Sequence, residues 1–202
     1  MDFETQLWKE HIYLYWIFSY VLCLYNFKCI IPSFKIVSVV LFNQIIVYPF
    51  VKMTPTMYKT DYVELTDILL IPLYLYLYYI IHCIWFYFIH RLMHTRLLWN
   101  TIHKMHHQII DTNPYTALYC NCIEHLVLNL MSVFIGPIIF PSTQIALKLW
   151  FHMTTLSTIN AHNSISRIEK QTHDIHHMFY KYNFGTGVAL DKLFNTYYSI
   201  SH

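Results

Sequence analysis

Eight of the 14 histidines in this 202-residue chain stand in three short clusters: His90-Arg-Leu-Met-His94, His103-Lys-Met-His106-His107 and His173-Asp-Ile-His176-His177. The spacing is i, i+4 in the first and i, i+3, i+4 in the other two. On a helix each cluster therefore sets its imidazoles along one face of a turn. Neutral imidazole is the commonest protein ligand for iron, copper and zinc. Eight imidazoles exceed what one tetrahedral zinc can use. The count suits two metal ions, each with several nitrogen ligands and an open position.

Other site chemistries fit the pattern less well. Carboxylate-bridged di-iron bundles draw ligands from Glu and Glu-x-x-His, a pattern this chain lacks. Magnesium and calcium take oxygen donors. A single zinc hydrolase needs three protein ligands and a water, and the HExxH signature is absent. A bis-histidine haem protein has no use for His-His doublets. Iron is favoured, because two Fe(II) ions can activate dioxygen for attack on an unactivated C–H bond. A site embedded in a membrane is well placed for a lipid substrate.

The elements that must position these clusters are apolar. The chain is 56% hydrophobic and 18% aromatic, with 12% charged residues and three glycines. An ordinary soluble domain carries about twice that charged fraction. Uncharged runs give membrane segments at about 11–27, 36–51 and 68–90, since a crossing needs about 20 apolar residues. The 36–51 run is short and reads as a span, a re-entrant segment or an interfacial one. From Tyr119 to Ala161 the sequence reads as two further segments, about 118–136 and 142–161. They form a hairpin with Gly136-Pro137 and Pro141-Ser142 at its middle, because Gly and Pro mark turns. This hairpin puts His90–His107 and His162–His177 on one membrane face. That face carries Arg91, Arg96, Lys104, Arg167, Lys170, Lys181 and Lys192, which makes it cytosolic by the positive-inside rule. Lys28 and Lys35 on the loop 28–35 fit the same side, with the acidic N-terminus opposite. No basic leader with a small-residue cleavage site is visible, so the first segment is expected to be retained. Cys23, Cys29, Cys83, Cys120 and Cys122 form no CxxC pair and read as small apolar fillers.

The spacing HxxxH, HxxHH, HxxHH beside membrane helices resembles the fatty acid hydroxylase/sterol desaturase superfamily. The stretch from His90 to His107 is similar to that of sterol methyl oxidases and cholesterol hydroxylases, including the gap between boxes. Ala117-Leu-Tyr119 with Ile123-Glu124-His125-Leu-Val-Leu-Asn129 resembles the segment opening the membrane hairpin. Ala161-His162-Asn163 resembles the lone-histidine motif after it. Asn183-Phe-Gly185 and Leu190-Asp191-Lys-Leu-Phe194-Asn-Thr196 resemble the C-terminal signature, and Leu41-Phe-Asn43-Gln44 in the second apolar run is also similar. The resemblance implies a single integral-membrane domain over residues 1–202. The fold is an all-α polytopic membrane helix bundle of about four to five segments, with a cytosolic-face, histidine-rich di-metal helical cap. It implies a membrane-bound di-iron, O2-dependent oxidoreductase that hydroxylates, oxidises or desaturates a C–H bond of a sterol or fatty acyl lipid. Its home would be the endoplasmic reticulum. Electrons would come from NAD(P)H through an external reductase and a b-type cytochrome; no nucleic acid is involved. The implied iron ligands, which zinc could also occupy, are His90, His94, His103, His106, His107, His162, His173, His176 and His177. No catalytic residue is implied apart from them. The chain departs from the pattern in four places. Asn121 and Cys122 stand where many members have His and Pro, and Ser166 stands where some have a second histidine. The segment 163–172 is short, and Asn195 replaces a glycine.

Other polar residues carry two readings each. Glu124, His125 and Asp174 could orient ligand histidines from a second shell. Equally, Glu124 could lie solvated at the interface, and Asp174 could be an acid near a helix N-terminus. His11, His82, His152 and His202 read as satisfied polar groups on apolar helices. Asp191 reads as structural. Tyr74, Tyr76, Tyr78 and Tyr79 read as packing residues. Arg91, Arg96 and Lys104 either anchor the chain at the membrane or dock an acidic donor or anionic headgroups. The competing functional class is a non-enzymatic or inactivated metal-binding membrane protein of the same fold.

Overall fold

Two polar pairings decide how the first two helices lie. In the computed structural model, which describes residues 1–25, 31–58, 64–110, 112–163 and 172–199, α1 spans Phe3–Tyr25. It packs beside α2, Phe34–Ile46, which continues after a break at Val47 into Tyr48–Val51. Asp2 at the start of α1 meets Lys52 at the end of this pair at 2.9 Å. The Trp8 and Trp16 indoles donate to Gln44 O and Gln44 Oε1 at 2.8 and 3.0 Å. The two helices are therefore antiparallel, and Phe34 returns to the end where α1 finishes. Ser33 caps α2 by accepting from Ile36 N, as an N-cap serine does.

Helix α3, Ile71–Met93, begins with Pro72 in its first turn, where the missing N–H costs nothing. It ends three residues beyond the uncharged run 68–90, so His90 and Arg91 are helical. Helix α4, Cys122–Ile139, and α5, Gln144–Ala161, form the hairpin. Asn121 caps α4 by accepting from Ile123 N at 2.9 Å, and Thr143 caps α5. Gly136-Pro137 is not the turn: α4 runs through Pro137, and the chain reverses at Phe140–Thr143. Proline would normally orphan the carbonyl four residues back. Here that carbonyl, Val133 O, accepts the Trp150 indole N–H from α5 at 2.9 Å. Gly136 is needed because an added Cβ would meet Tyr78 Cα and Cδ1 at 3.0 Å.

Among the described residues, three helices are long and apolar enough to cross a membrane: Phe34–Val51, Ile71–Met93 and Cys122–Ile139. Helices α1 and α5 form over the expected segments 11–27 and 142–161 but are less apolar. Their polar side chains face each other, with Glu10 bonded to Lys148 at 2.8 Å and His11 to Thr155 at 2.8 Å. Expected residues Lys28, Cys29, Ser166, Arg167, Lys170 and His202, and the short segment from 164 to 171, lie outside the described residues.

The hairpin turn sits at the end where the chain starts. Tyr58 donates to Glu4 at 2.7 Å and bridges Ser142, and Tyr78 donates to Phe140 O at 2.7 Å. Here Leu7, Val51, Tyr78, Phe134, Leu147 and Trp150 form one core cluster. A second, of Tyr15, Val40, Leu118, Tyr119 and Ile159, lies toward the opposite end. Of the tyrosine run, Tyr78 is fully buried while Tyr76 faces outward. The opposite end carries a cap of short elements: Arg96–Thr101, the 3-10 turn His103–Gln108, α6 (Thr172–Phe179) and α7 (Val188–Leu193).

Candidate metal centre

All nine expected histidines meet beneath this cap, in two groups. The first holds His90, His94, His103, His107 and His176; the second holds His106, His162, His173 and His177. Within each group the candidate ligand atoms lie within 4.8 Å of one another. The last turn of α3 delivers His90 and His94. The second box forms a 3-10 turn, not an α-helix, and α6 delivers His173, His176 and His177. His162 closes the C-terminus of α5. Each doublet splits: His107 and His176 join the first group, His106 and His177 the second. The groups adjoin, with the His107 and His177 rings 4.5 Å apart centroid to centroid.

The Nε2 atoms converge. In the first group His94 lies 3.1 Å from His176 and 3.0 Å from His103, which lies 3.0 Å from His107. In the second, the pairs His106–His177, His162–His173 and His173–His177 are each 3.1 Å apart. The opposite nitrogens decide what these contacts are. His106 Nδ1 faces Tyr119 O at 3.3 Å, His162 Nδ1 faces Thr158 O at 2.9 Å and His177 Nδ1 faces Ile109 O at 3.1 Å. In the first group His90 Nδ1 faces Phe184 O at 2.7 Å and His176 Nδ1 faces Tyr182 O at 2.6 Å. A carbonyl only accepts, so these Nδ1 atoms carry the proton and the Nε2 atoms are bare. His106 and His177 thus aim two lone pairs at each other, an arrangement that requires a cation between them. Two nitrogens each about 2.1 Å from one ion and at right angles stand about 3.0 Å apart. The donor set fits a metal.

Burial keeps the rings neutral, the ligating form. It pushes His162 down to about 4, His103 to about 3 and His94 and His177 to about 2. His106, His107, His173 and His176 are also lowered by burial, with neighbouring imidazoles adding to it.

Glu124 Oε1 lies 3.0 Å from His103 Nδ1, both side chains being sealed from solvent, so it is not solvated at the interface. Asp174 accepts from Thr112 Oγ1 and ties α6 to the preceding segment. His125 Nδ1 faces Asn129, and its Nε2 has no hydrogen-bond partner among the described residues, so no hydrogen bond joins it to one of the nine histidines. Asp191 is structural: it accepts from Phe184 N at 2.8 Å, Gly185 N at 2.9 Å and Thr196 Oγ1 at 2.8 Å. This shapes the loop whose carbonyls hold His90 and His176. Asn195, in the place of a glycine, adopts φ 54°, and asparagine tolerates that region better than most residues.

A cavity of about 440 Å³ runs from His90, His103, His106 and His162 down between α1, α4 and α5. Its size is that of a small-ligand pocket. Sequence reasoning missed its polar lining, which includes His11, Asn129 and Thr155. The π-helical turn His125–Leu130 beside it carries no local signature. Trp99, also unexpected, covers the outer side, its ring 5.1 Å from His94 and 5.0 Å from His107.

The model of the fatty acid hydroxylase family matches residues 75–196. The chain is 34% identical to methylsterol monooxygenase 1 of Danio rerio over 124 residues, covering 55% of this chain and 42% of the relative. It is 31% identical to fatty acid hydroxylase domain-containing protein 2 of Homo sapiens over 114 residues, 55% and 34% of the two chains. It is 30% identical to sphinganine C4-monooxygenase 1 of Arabidopsis thaliana over 128 residues, 56% and 49%. The match thus spans half or less of the length of these relatives. No solved structure matches the chain. The matched region runs from the second turn of α3 to Thr196 and takes in all nine converging histidines, and the chain belongs to the fatty acid hydroxylase family.

Proposed function

We propose that this protein is a membrane-bound, O2-dependent oxidoreductase that hydroxylates, oxidises or desaturates a lipid C–H bond. The nine histidines would hold two iron ions, five rings on one and four on the other. The observation that carries this reading is the pair of Nε2 lone pairs of His106 and His177, fixed 3.1 Å apart by carbonyls on their far nitrogens. The monooxygenases among the similar proteins support the reaction class.

Iron bound there would supply the activation of dioxygen that removing hydrogen from an unactivated C–H bond requires. The chain's own residues do the rest. The carbonyls of Tyr182 and Phe184 lock the rings of His176 and His90, so the ligands need no rearrangement when charge develops. Glu124, whose Oε1 lies 3.0 Å from His103 Nδ1, would orient that ring from behind. The cavity leads from the membrane helices to the ligand rings, and its apolar walls exclude water from the reacting carbon. We place the cap on the cytosolic face of the endoplasmic reticulum membrane, where NAD(P)H-derived electrons would arrive through a reductase and a b-type cytochrome.

The test combines metal analysis with lipid profiling. Purified protein should hold about two metal ions per chain, and cells expressing it should gain an oxidised or unsaturated lipid absent from a His106→Ala/His177→Ala control. One metal per chain, or identical lipid profiles with both metals bound, would overturn the proposal.

A further inference from the structure

Three histidines that the metal groups do not use line the cavity, His11, His82 and His125, and the hydrogen bonds of His125 and His11 assign the free nitrogens of those two. His125 is 4% exposed and stands on the π-helical turn of α4, a distortion frequent at functional sites. Asn129 Nδ2 donates to its Nδ1 at 3.4 Å. Its Nε2 therefore carries the proton, and this donor is buried without a partner. His11, on α1, faces Thr155 Oγ1 through Nδ1 at 2.8 Å, while that hydroxyl gives its only proton to Phe151 O at 2.8 Å. His11 Nδ1 must then be the donor, which leaves its Nε2 as a bare acceptor. Both residues line the cavity that also reaches His90, His103, His106 and His162.

We propose that His125 and His11 form a hydroxyl-recognition site in this cavity, selecting a lipid alcohol and placing it against the metal groups. His125 Nε2–H donates to the alcohol oxygen, and the alcohol proton is donated to His11 Nε2. A ketone can satisfy only His125, and a hydrocarbon neither. A buried donor left unpaired costs about 1–3 kcal/mol, so the site discriminates by about five-fold to about a hundred-fold. The inference deepens the proposed function and rests on it for the role of the nearby metals. The alcohol could belong to a sterol or to a long-chain lipid.

The site is testable without turnover. Purified full-length protein in detergent, its metal content measured and no reductant added, is titrated with cholestanol, cholestanone and cholestane, and separately with octadecanol and octadecane. Trp8 and Trp150, which line the cavity, report binding by fluorescence. Wild-type protein should bind the alcohol tighter than the ketone, and the ketone tighter than the hydrocarbon, by at least five-fold overall in one scaffold; that scaffold identifies the source. His125→Leu should bring the ketone down to the hydrocarbon and leave the alcohol only the smaller preference that His11 supplies, with partial recovery in His125→Gln, which keeps a donor. His11→Phe should lower only the alcohol, to the level of the ketone. Equal binding of alcohol and hydrocarbon in both scaffolds, or undiminished alcohol preference in His125→Leu, overturns the proposal. Metal content separates the two failures: an intact complement with no alcohol preference sinks this site alone, whereas an absent complement sinks the metal reading.

Discussion

Glu124 Oε1 and His103 Nδ1 lie 3.0 Å apart with both side chains cut off from solvent, which puts this side chain directly behind one ring of the candidate metal centre. Replacing Glu124 by Ala should weaken metal retention about 10- to 100-fold, and Glu124→Gln should fall between the two. Metal content after dialysis against a graded chelator measures the effect. Equal retention in all three proteins would count against the assignment.

His106→Ala and His177→Ala should each empty the second group and abolish turnover. The protein should remain in the membrane, because α3, α4 and α5 do not use these side chains to pack. Membrane fractionation together with metal analysis checks both halves. Wild-type activity in the double variant would refute the ligand assignment.

Removal of Asp191 takes the acceptor from Phe184 N, Gly185 N and Thr196 Oγ1, of which Thr196 alone keeps a partner, the Tyr87 hydroxyl at 2.9 Å. Asp191→Ala should cost on the order of 3 kcal/mol, read as a lowered unfolding midpoint in detergent. Because Phe184 O holds His90, metal retention should fall with it.

Acid should destabilise the metal-free protein, with a definite sign. An unfolded imidazole takes up its proton near 6.5, whereas folded His162 does so at about 4 and folded His103 at about 3. A lowered folded value means that the unfolded chain binds more protons over this window. The stabilising contribution is therefore fully present above about pH 6.5 and is lost as pH falls toward 4 and then 3. Thermal unfolding followed from pH 8 to pH 4 should show a plateau and then a decline; a midpoint constant across this range would disprove it.

The antiparallel order of α1, α2 and α3 places the N-terminus and the histidine cap on opposite faces. With the cap cytosolic, a tag at the N-terminus should be protected from protease in sealed vesicles and a tag after the C-terminal signature should be cut. Cleavage of both tags would mean that one of the first two helices does not cross.

Much of the site was legible because imidazole spacing is a local property. His90 with His94 and His173 with His177 keep the i, i+4 pairing their spacing implies, and each pair serves one group. His162 carried no spacing of its own and was reached only through the family resemblance. The carbonyls of Tyr119, Ile109, Tyr182 and Phe184 could not be foreseen, because a backbone acceptor has no side-chain signature. Of the two expected turn markers, Pro141-Ser142 lies in the reversal, whereas Gly136-Pro137 is helical for a long-range reason: Trp150, 13 residues after Pro137, supplies the donor that lets the helix continue through it. Helices α1 and α5 were legible as helices, but not how their Glu10, His11, Lys148 and Thr155 would satisfy one another across the interface.

The split doublets have a consequence for how such a chain can change over evolutionary time. His106 and His107 are joined by one peptide bond, as are His176 and His177, yet the two members of each doublet serve different groups. An insertion or deletion that shifts the backbone at either doublet displaces a ring in both groups at once. Neither half can be tuned, duplicated or discarded by itself through changes in chain length, so the two groups are inherited as one unit and lost as one.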